Sequence, residues 1–116
     1  MFDFEKFPVY QKSESFYKKV LGIIADPKID KNTKDQLKRS ALSIVLNIAE
    51  GAGKYSKNDK KNFYVVAKGS TNECVAILRI LKIENLIPEN EFRENYEALL
   101  EIAKMLSGLI GAMIKK

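Results

Sequence analysis

Two glutamates and an asparagine are the side chains of this sequence best suited to acid–base or metal chemistry. Asn47 and Glu50 lie one turn apart if their segment is helical, and Glu73 belongs to the next segment. Paired carboxylates can act as general acid and base, and four-helix proteins use them with Glu-x-x-His pairs to hold two metal ions. The sequence has no histidine and a single cysteine, however. We therefore expect no catalytic residue, no metal and no cofactor, and we interpret the carboxylates as part of a structural polar network.

The predicted polar network draws on two neighbouring segments. If the two segments are helices whose faces meet, Arg39 pairs either with Glu73 or with Glu50 of a neighbouring chain. Each buried polar group left without a partner costs about 1–3 kcal/mol, so a network buried there has to satisfy itself. The residues of the network are Arg39, Ser43, Asn47, Glu50, Gly69, Ser70 and Glu73.

A second set of residues has the charge needed to bind a polyanion. Between positions 57 and 82, one face at helical spacing has five cations, a tyrosine and no acid. Such a row can follow phosphates and offer a stacking surface, although an ordinary lysine-rich surface is the alternative. The core is then expected on the opposite face, with Phe63, Val66 and Leu78. The predicted nucleic-acid-binding residues, with Lys54 from the adjoining loop, are Lys54, Lys57, Lys61, Tyr64, Lys68, Arg79 and Lys82.

The chain as a whole has the size and composition of one globular domain, residues 1–116. It has 20 Lys and Arg against 15 Asp and Glu, a net charge of +5, which favours polyanions only modestly. No apolar run approaches the roughly 20 residues that span a bilayer, and the first residues do not have the pattern of a signal peptide. The single cysteine excludes an internal disulfide and fits a reducing compartment. We expect a cytoplasmic protein that has no membrane partner.

The elements that position these residues are predicted to be helices. Apolar residues recur at helical spacing, and the breaks near residues 26–30, 51–56 and 85–89 contain Gly, Pro, Asn and Asp. Asp30 or Asn32 can cap the second helix, and Ser56 can cap the third. Short connections make neighbouring helices antiparallel. The prediction is an all-α, antiparallel up-down four-helix bundle with helices at approximately 8–25, 31–52, 57–84 and 88–115.

The second and fourth helices have more apolar surface than one bundle buries. Each has two apolar stripes, whereas a bundle helix needs a single stripe a little wider than 100°. We interpret the surplus as a subunit interface, and the alternative is a core that spreads onto the helix flanks. The predicted interface residues are Leu42, Leu46, Ile102, Met105 and Leu109.

Two sequence runs resemble a known family. They are KRSALSIVLNIAEG at residues 38–51 and AKGSTNE at residues 67–73. This combination is similar to the signature of bacterial four-helix bundle proteins encoded in intervening sequences of large-subunit ribosomal RNA genes. The resemblance implies a homopentameric ring without established catalytic residues. It also implies a distant kinship with the accessory bundle protein of diversity-generating retroelements, a ring that binds reverse transcriptase and nucleic acid.

The residues and the resemblance together predict a non-catalytic homo-oligomeric binding module. Its basic face is expected to engage RNA or a nucleic-acid-bound protein, and the resemblance makes a pentamer the expected assembly. The alternative is a protein-interaction scaffold with no direct role in nucleic-acid binding.

Overall fold

Four α-helices make up most of the computed structural model, which describes residues 1–114. The described part of the chain has no strand, and the predicted helix bounds agree with the observed ones to within one turn. Residue 115, the predicted end of the fourth helix, lies outside the described residues. After a short 3-10 helix at Asp3–Lys6, the helices are α1 at Pro8–Ile23, α2 at Lys31–Ala52, α3 at Lys57–Ile83 and α4 at Glu89–Ile114.

Side-chain caps fix the first residues of α2 and α3. The Asp30 carboxylate accepts a hydrogen bond from the Thr33 backbone N–H at 2.9 Å, and the Ser56 hydroxyl accepts one from the Asp59 N–H at 3.0 Å. These bonds satisfy backbone donors that have no partner inside the helix. Both helix starts therefore follow from local sequence signals.

The helices pack in chain order around one core. Each helix contacts the helix before and after it in the sequence, and α4 returns to contact α1. The two diagonal pairs, α1 with α3 and α2 with α4, make no close backbone approach among the described residues. The result is the predicted up-down bundle, with extents of 47 × 25 × 22 Å.

The core faces of α3 and α4 differ from the prediction in two places. On α3, Tyr64 is 2% exposed and lies in the core, whereas Val66 is 51% exposed. On α4, Ile102 is fully buried and so cannot be an interface residue of this chain. Thr71 and Asn95 are also buried, and these polar residues interrupt the apolar pattern that marks the true core stripes. The sequence prediction therefore placed the core face of each helix about one residue away from the observed one.

Among residues 1–114, no helix combines the length and the apolar character needed to cross a lipid bilayer.

All four helices contribute to the core, and its largest fully buried apolar side chains come from each of them. They are Phe16, Val20, Leu37, Ile44, Ile48, Leu78, Leu81, Leu99, Ile102 and Leu106.

Candidate functional site

The seam between α2 and α3 contains the predicted polar network. The Ser43 and Ser70 hydroxyls are hydrogen-bonded at 2.8 Å, which joins the two helices. Asn47 donates from its amide to the Ser43 carbonyl at 2.8 Å and to the Ser43 hydroxyl at 3.0 Å. One turn earlier, the Ser40 hydroxyl donates to the Glu73 carboxylate. Hydroxyl and carboxylate groups thus link the two helices, and the Asn47 amide bonds to Ser43 within α2.

The charged ends of the predicted network remain at the surface. Arg39 and Glu50 are exposed, and neither forms an ion pair within the described part of the chain. The Arg39–Glu73 pair predicted as one alternative is absent among the described residues, and Glu73 instead accepts a hydrogen bond from the Ser40 hydroxyl. Opposite charges at two ends of one surface leave the second alternative, pairing between chains, open.

The two glycines of the sequence runs have different environments. Gly51 is buried, and a Cβ added to it would lie 2.7 Å from the Tyr64 ring, so this position needs a glycine for the helices to approach. A Cβ added to Gly69 would meet no atom within 4 Å. Gly69 lies inside α3, where glycine costs about 1 kcal/mol relative to alanine. Nothing within the single chain explains that cost.

The outer surface of α2 and α3 is apolar around this network. Leu46 is 53% exposed, and Leu42 is exposed one turn before it. Val66 and Ile80 are exposed on α3 at a separation of two heptads, with Glu73 midway between them, so all three share one side of that helix. We call this surface the α2–α3 face, and it comprises Arg39, Leu42, Leu46, Glu50, Val66, Gly69, Glu73 and Ile80.

Two other predicted interface residues lie on the opposite side of the bundle. Met105 and Leu109 are partly buried, and with Gly108 and the start of α1 they line an apolar groove of about 440 Å³. A Cβ added to Gly108 would meet no atom within 4 Å, so the groove wall leaves room for a closely packed neighbour. We call this the α1–α4 groove, and its lining residues are Phe7, Pro8, Val9, Met105, Gly108 and Leu109.

The predicted cationic row is only partly available to a ligand. Lys57 and Arg79 are exposed and Lys61 and Lys68 are half-buried, and none of the four forms an ion pair within residues 1–114. Lys82, by contrast, pairs with an α4 carboxylate.

Three other predicted members of the row have contacts inside the chain. Lys82 lies 3.2 Å from the Glu89 carboxylate and 4.6 Å from the Phe92 ring centroid. The Lys54 ammonium lies 5.1 Å from the Phe63 ring centroid. The Tyr64 ring is buried against Gly51, and burial raises the pKa of its hydroxyl. Tyr64 therefore cannot stack on a base, which corrects its assignment as a nucleic-acid-binding residue.

A groove between α3 and α4 runs beside the remaining cations. It has a volume of about 330 Å³, and its lining includes one cation and no acid. Sequence reasoning missed it because the groove exists only where α3 and α4 pack together, and hydropathy does not show which residues meet there. We call it the α3–α4 groove, and it is lined by Thr71, Asn72, Val75, Ala76, Arg79, Tyr96, Leu99, Leu100 and Ala103.

The described residues contain no cluster of three His, Cys, Asp or Glu side chains that could hold a metal ion. Cys74 lies in the core, where burial raises the pKa of its thiol to about 12. A thiol with this pKa is protonated at neutral pH, whereas nucleophilic cysteines require the thiolate. The geometry thus favours packing as the role of Cys74.

Comparisons with known proteins cover most of the chain. The profile of a family described as 23S rRNA-intervening sequence protein matches residues 5–108. A solved structure from Bacteroides thetaiotaomicron VPI-5482, a protein of unknown function from the S23 ribosomal protein family, superimposes with a TM-score of 0.83 at 25% identity. That match covers 88% of this chain and 97% of the other. No curated protein matches the sequence.

Proposed function

The chain belongs to the 23S rRNA-intervening sequence protein family, and from that membership and the surfaces above we propose a non-catalytic, homo-oligomeric, RNA-binding module of the cytoplasm. The observation that carries the proposal is the exposed apolar α2–α3 face, where two leucines, a valine, an isoleucine and an open glycine cluster on one side of a lone bundle. Large exposed apolar patches mark interaction sites.

The geometry favours assembly into a ring. In a bundle packed in chain order, the α2–α3 face and the α1–α4 groove lie on opposite sides. Contact between two different surfaces of identical chains is heterologous, and such contacts generate closed rings when the rotation closes. The resemblance noted from the sequence makes a pentamer the specific expectation.

Two details support contact through the α2–α3 face. Gly69 has open space around it, so the backbone of a neighbour can approach α3 closely there. Arg39 and Glu50 are exposed at two ends of the face and can pair with opposite charges of a neighbour. Charge pairs at a rim set register and partner choice more than affinity.

RNA is the proposed ligand because of the cations that stay free. With the α2–α3 and α1–α4 sides in contact, the α3–α4 side would lie on the inner or outer wall of the ring. Lys57, Lys61, Lys68 and Arg79 would then repeat around the ring, and the repetition compensates for a modest charge per chain. A protein scaffold with no RNA partner is the rival, and the experiment below separates the two.

The assembly is tested with Leu46→Glu. We expect this variant to be a folded monomer, because a carboxylate cannot be buried in the interface without a partner. Multi-angle light scattering gives the mass, and circular dichroism checks the helices. Leu21→Glu is the matched control, since Leu21 is also exposed but lies about 18 Å along α1 from the α1–α4 groove residue Val9. A monomeric wild type at micromolar concentration, or equal masses for both variants, contradicts the proposal.

RNA binding is tested by changing three free cations to glutamine, at Lys61, Lys68 and Arg79. The control replaces three exposed lysines elsewhere, at 18, 28 and 38, so that the net charge changes equally. The plot of log affinity against log salt concentration has a negative slope. Loss of three contacts to single-stranded RNA should reduce the magnitude of this slope by about 2. If wild type fails to bind at low salt, or if both triple variants bind alike, the proposal fails. A partner recovered after nuclease treatment would then favour the scaffold.

A further inference from the structure

The α3–α4 groove places an aromatic ring in an open, apolar recess. Tyr96 and Leu100 line it and are both partly exposed, and Val75 and Leu99 also contribute to its lining. Its volume of about 330 Å³ lies at the lower end of the range that small ligands occupy. A planar ligand could displace water from these apolar side chains and contact the Tyr96 ring.

The α3 wall of the groove has polar and cationic residues at its rim. Asn72 is exposed and forms no side-chain hydrogen bond within residues 1–114, so its amide can donate and accept at once. The Arg79 guanidinium is seven residues further along the same helix and unpaired. Lys68 lies one turn before Asn72, so the two cations are separated by about 16 Å along α3.

A nucleotide has the chemistry that matches this arrangement. Its base offers a flat face for the tyrosine ring and polar edges for the Asn72 amide, and flanking phosphates can pair with Lys68 and Arg79. A base in an RNA duplex cannot enter the groove, because it is stacked and paired and the duplex presents mainly phosphates and 2′-hydroxyls. The charge of the rim excludes a cationic ligand, and no lining residue is an acid.

Resting on the proposed function, we propose that the α3–α4 groove receives an unpaired base, and that the protein therefore prefers single-stranded RNA over duplex RNA. The cations of α3 supply affinity for both forms. The groove supplies the preference for the single strand.

The test compares a fluorescently labelled single-stranded 12-mer with its duplex by anisotropy, on the full chain. Tyr96→Leu removes the ring and keeps an apolar side chain, and Ala76→Phe fills the groove. Each should weaken binding of the single strand about tenfold or more and leave duplex binding and the salt dependence unchanged. Tyr55→Leu removes a fully exposed ring outside the groove and should change neither.

The outcomes separate the groove from the general RNA interaction. If wild type binds both RNAs equally, or if Tyr96→Leu and Ala76→Phe bind the single strand like wild type, the groove inference is wrong while RNA binding stands. If wild type binds neither RNA at low salt, both proposals fail. Binding of an acidic amphipathic peptide that Ala76→Phe abolishes, without RNA binding, would assign the groove to a protein instead. Circular dichroism and thermal unfolding of each variant exclude loss of the fold.

Discussion

Gly51 and Tyr64 interlock where α2 ends and α3 begins. The tyrosine ring occupies the space that a Cβ on residue 51 would need, with two ring carbons at 2.7 and 3.0 Å from that position. Tyr64 is thereby fixed in the core beside the α2–α3 turn. The glycine of the AEG run thus has a packing role, which sequence spacing alone does not reveal.

We expect Gly51→Ala to destabilise the fold by about 1–3 kcal/mol, because overpacking against the ring exceeds the gain of about 1 kcal/mol in helix propensity. Tyr64→Leu removes the closest contact, the ring carbon at 2.7 Å, and leaves the Phe63 Cβ at 3.1 Å, so the double variant should lose less stability than the sum of the two single variants. Urea unfolding of the four proteins measures this coupling. Additive effects would show that the ring moves aside without cost.

The Cys74 thiol should be unreactive in the folded protein. Burial raises its pKa from the ordinary 9.0 to about 12, so the unfolded chain loses this proton at a lower pH than the folded one. The contribution of this pKa difference to the free energy of unfolding is fully present below pH 9 and is lost as the pH rises toward 12. We expect a thiol reagent at pH 8 to label Cys74 only at the rate of unfolding, and rapidly in urea. Fast labelling of the folded protein would contradict the buried position.

At the scale of the helices, the first and last residues of each helix were easier to predict than the face that lies in the core. The caps at Asp30 and Ser56 are local signals, and both helices begin directly after them. The faces depend on which residues meet other helices. Thr71 donates its hydroxyl proton to the Ala67 carbonyl, and Asn95 donates its amide to the Glu91 carbonyl, so both side chains bond to their own helix inside the core. The Asn95 Oδ1 atom has no hydrogen-bond partner among the described residues. Hydropathy assigns Thr71 and Asn95 to the surface, so the predicted core faces of α3 and α4 were shifted by about one residue. Tyr64 and Ile102 were therefore assigned to the wrong faces of their helices.

The end of α3 depends on one residue in the left-handed region. Asn85 has a φ of 59°, and the Leu86 N–H reaches back to the Leu81 carbonyl at 2.9 Å. This is a Schellman termination, in which glycine is the preferred residue and asparagine the next.

Asn85→Val should therefore destabilise the protein by about 1–2 kcal/mol, because a β-branched residue is strained at positive φ. Asn85→Gly should be neutral or slightly stabilising. Thermal unfolding of both variants provides the measurement, and Asn90→Val, on the exposed first turn of α4, is the control. If Asn85→Val and Asn90→Val were to lower the melting temperature equally, side-chain strain would not explain the termination.

At the scale of the whole molecule, hydropathy indicated apolar residues outside the core but not where they lie relative to each other. Leu42 and Leu46 are exposed, and Met105 and Leu109 line an open groove, but hydropathy could not show that the two pairs lie on opposite sides. That relation depends on the order of packing around the core. The α3–α4 groove likewise exists only because two helices meet at Arg79 and Tyr96.

Gly69 connects the fold to the proposed assembly, because its replacement by alanine should raise the stability of the single chain and weaken the association of subunits. In a lone bundle, Gly69→Ala fills open space inside a helix and should stabilise the chain by about 1 kcal/mol. In a ring, the added methyl group would separate a neighbour from α3 and weaken assembly. Light scattering over a dilution series measures assembly, and urea unfolding at the lowest concentration measures the chain. Gly22→Ala, at an open position near the end of α1 and away from the α1–α4 groove, should leave assembly unchanged. If Gly69→Ala stabilised the chain and assembled like wild type, the α2–α3 face would not be the contact between subunits.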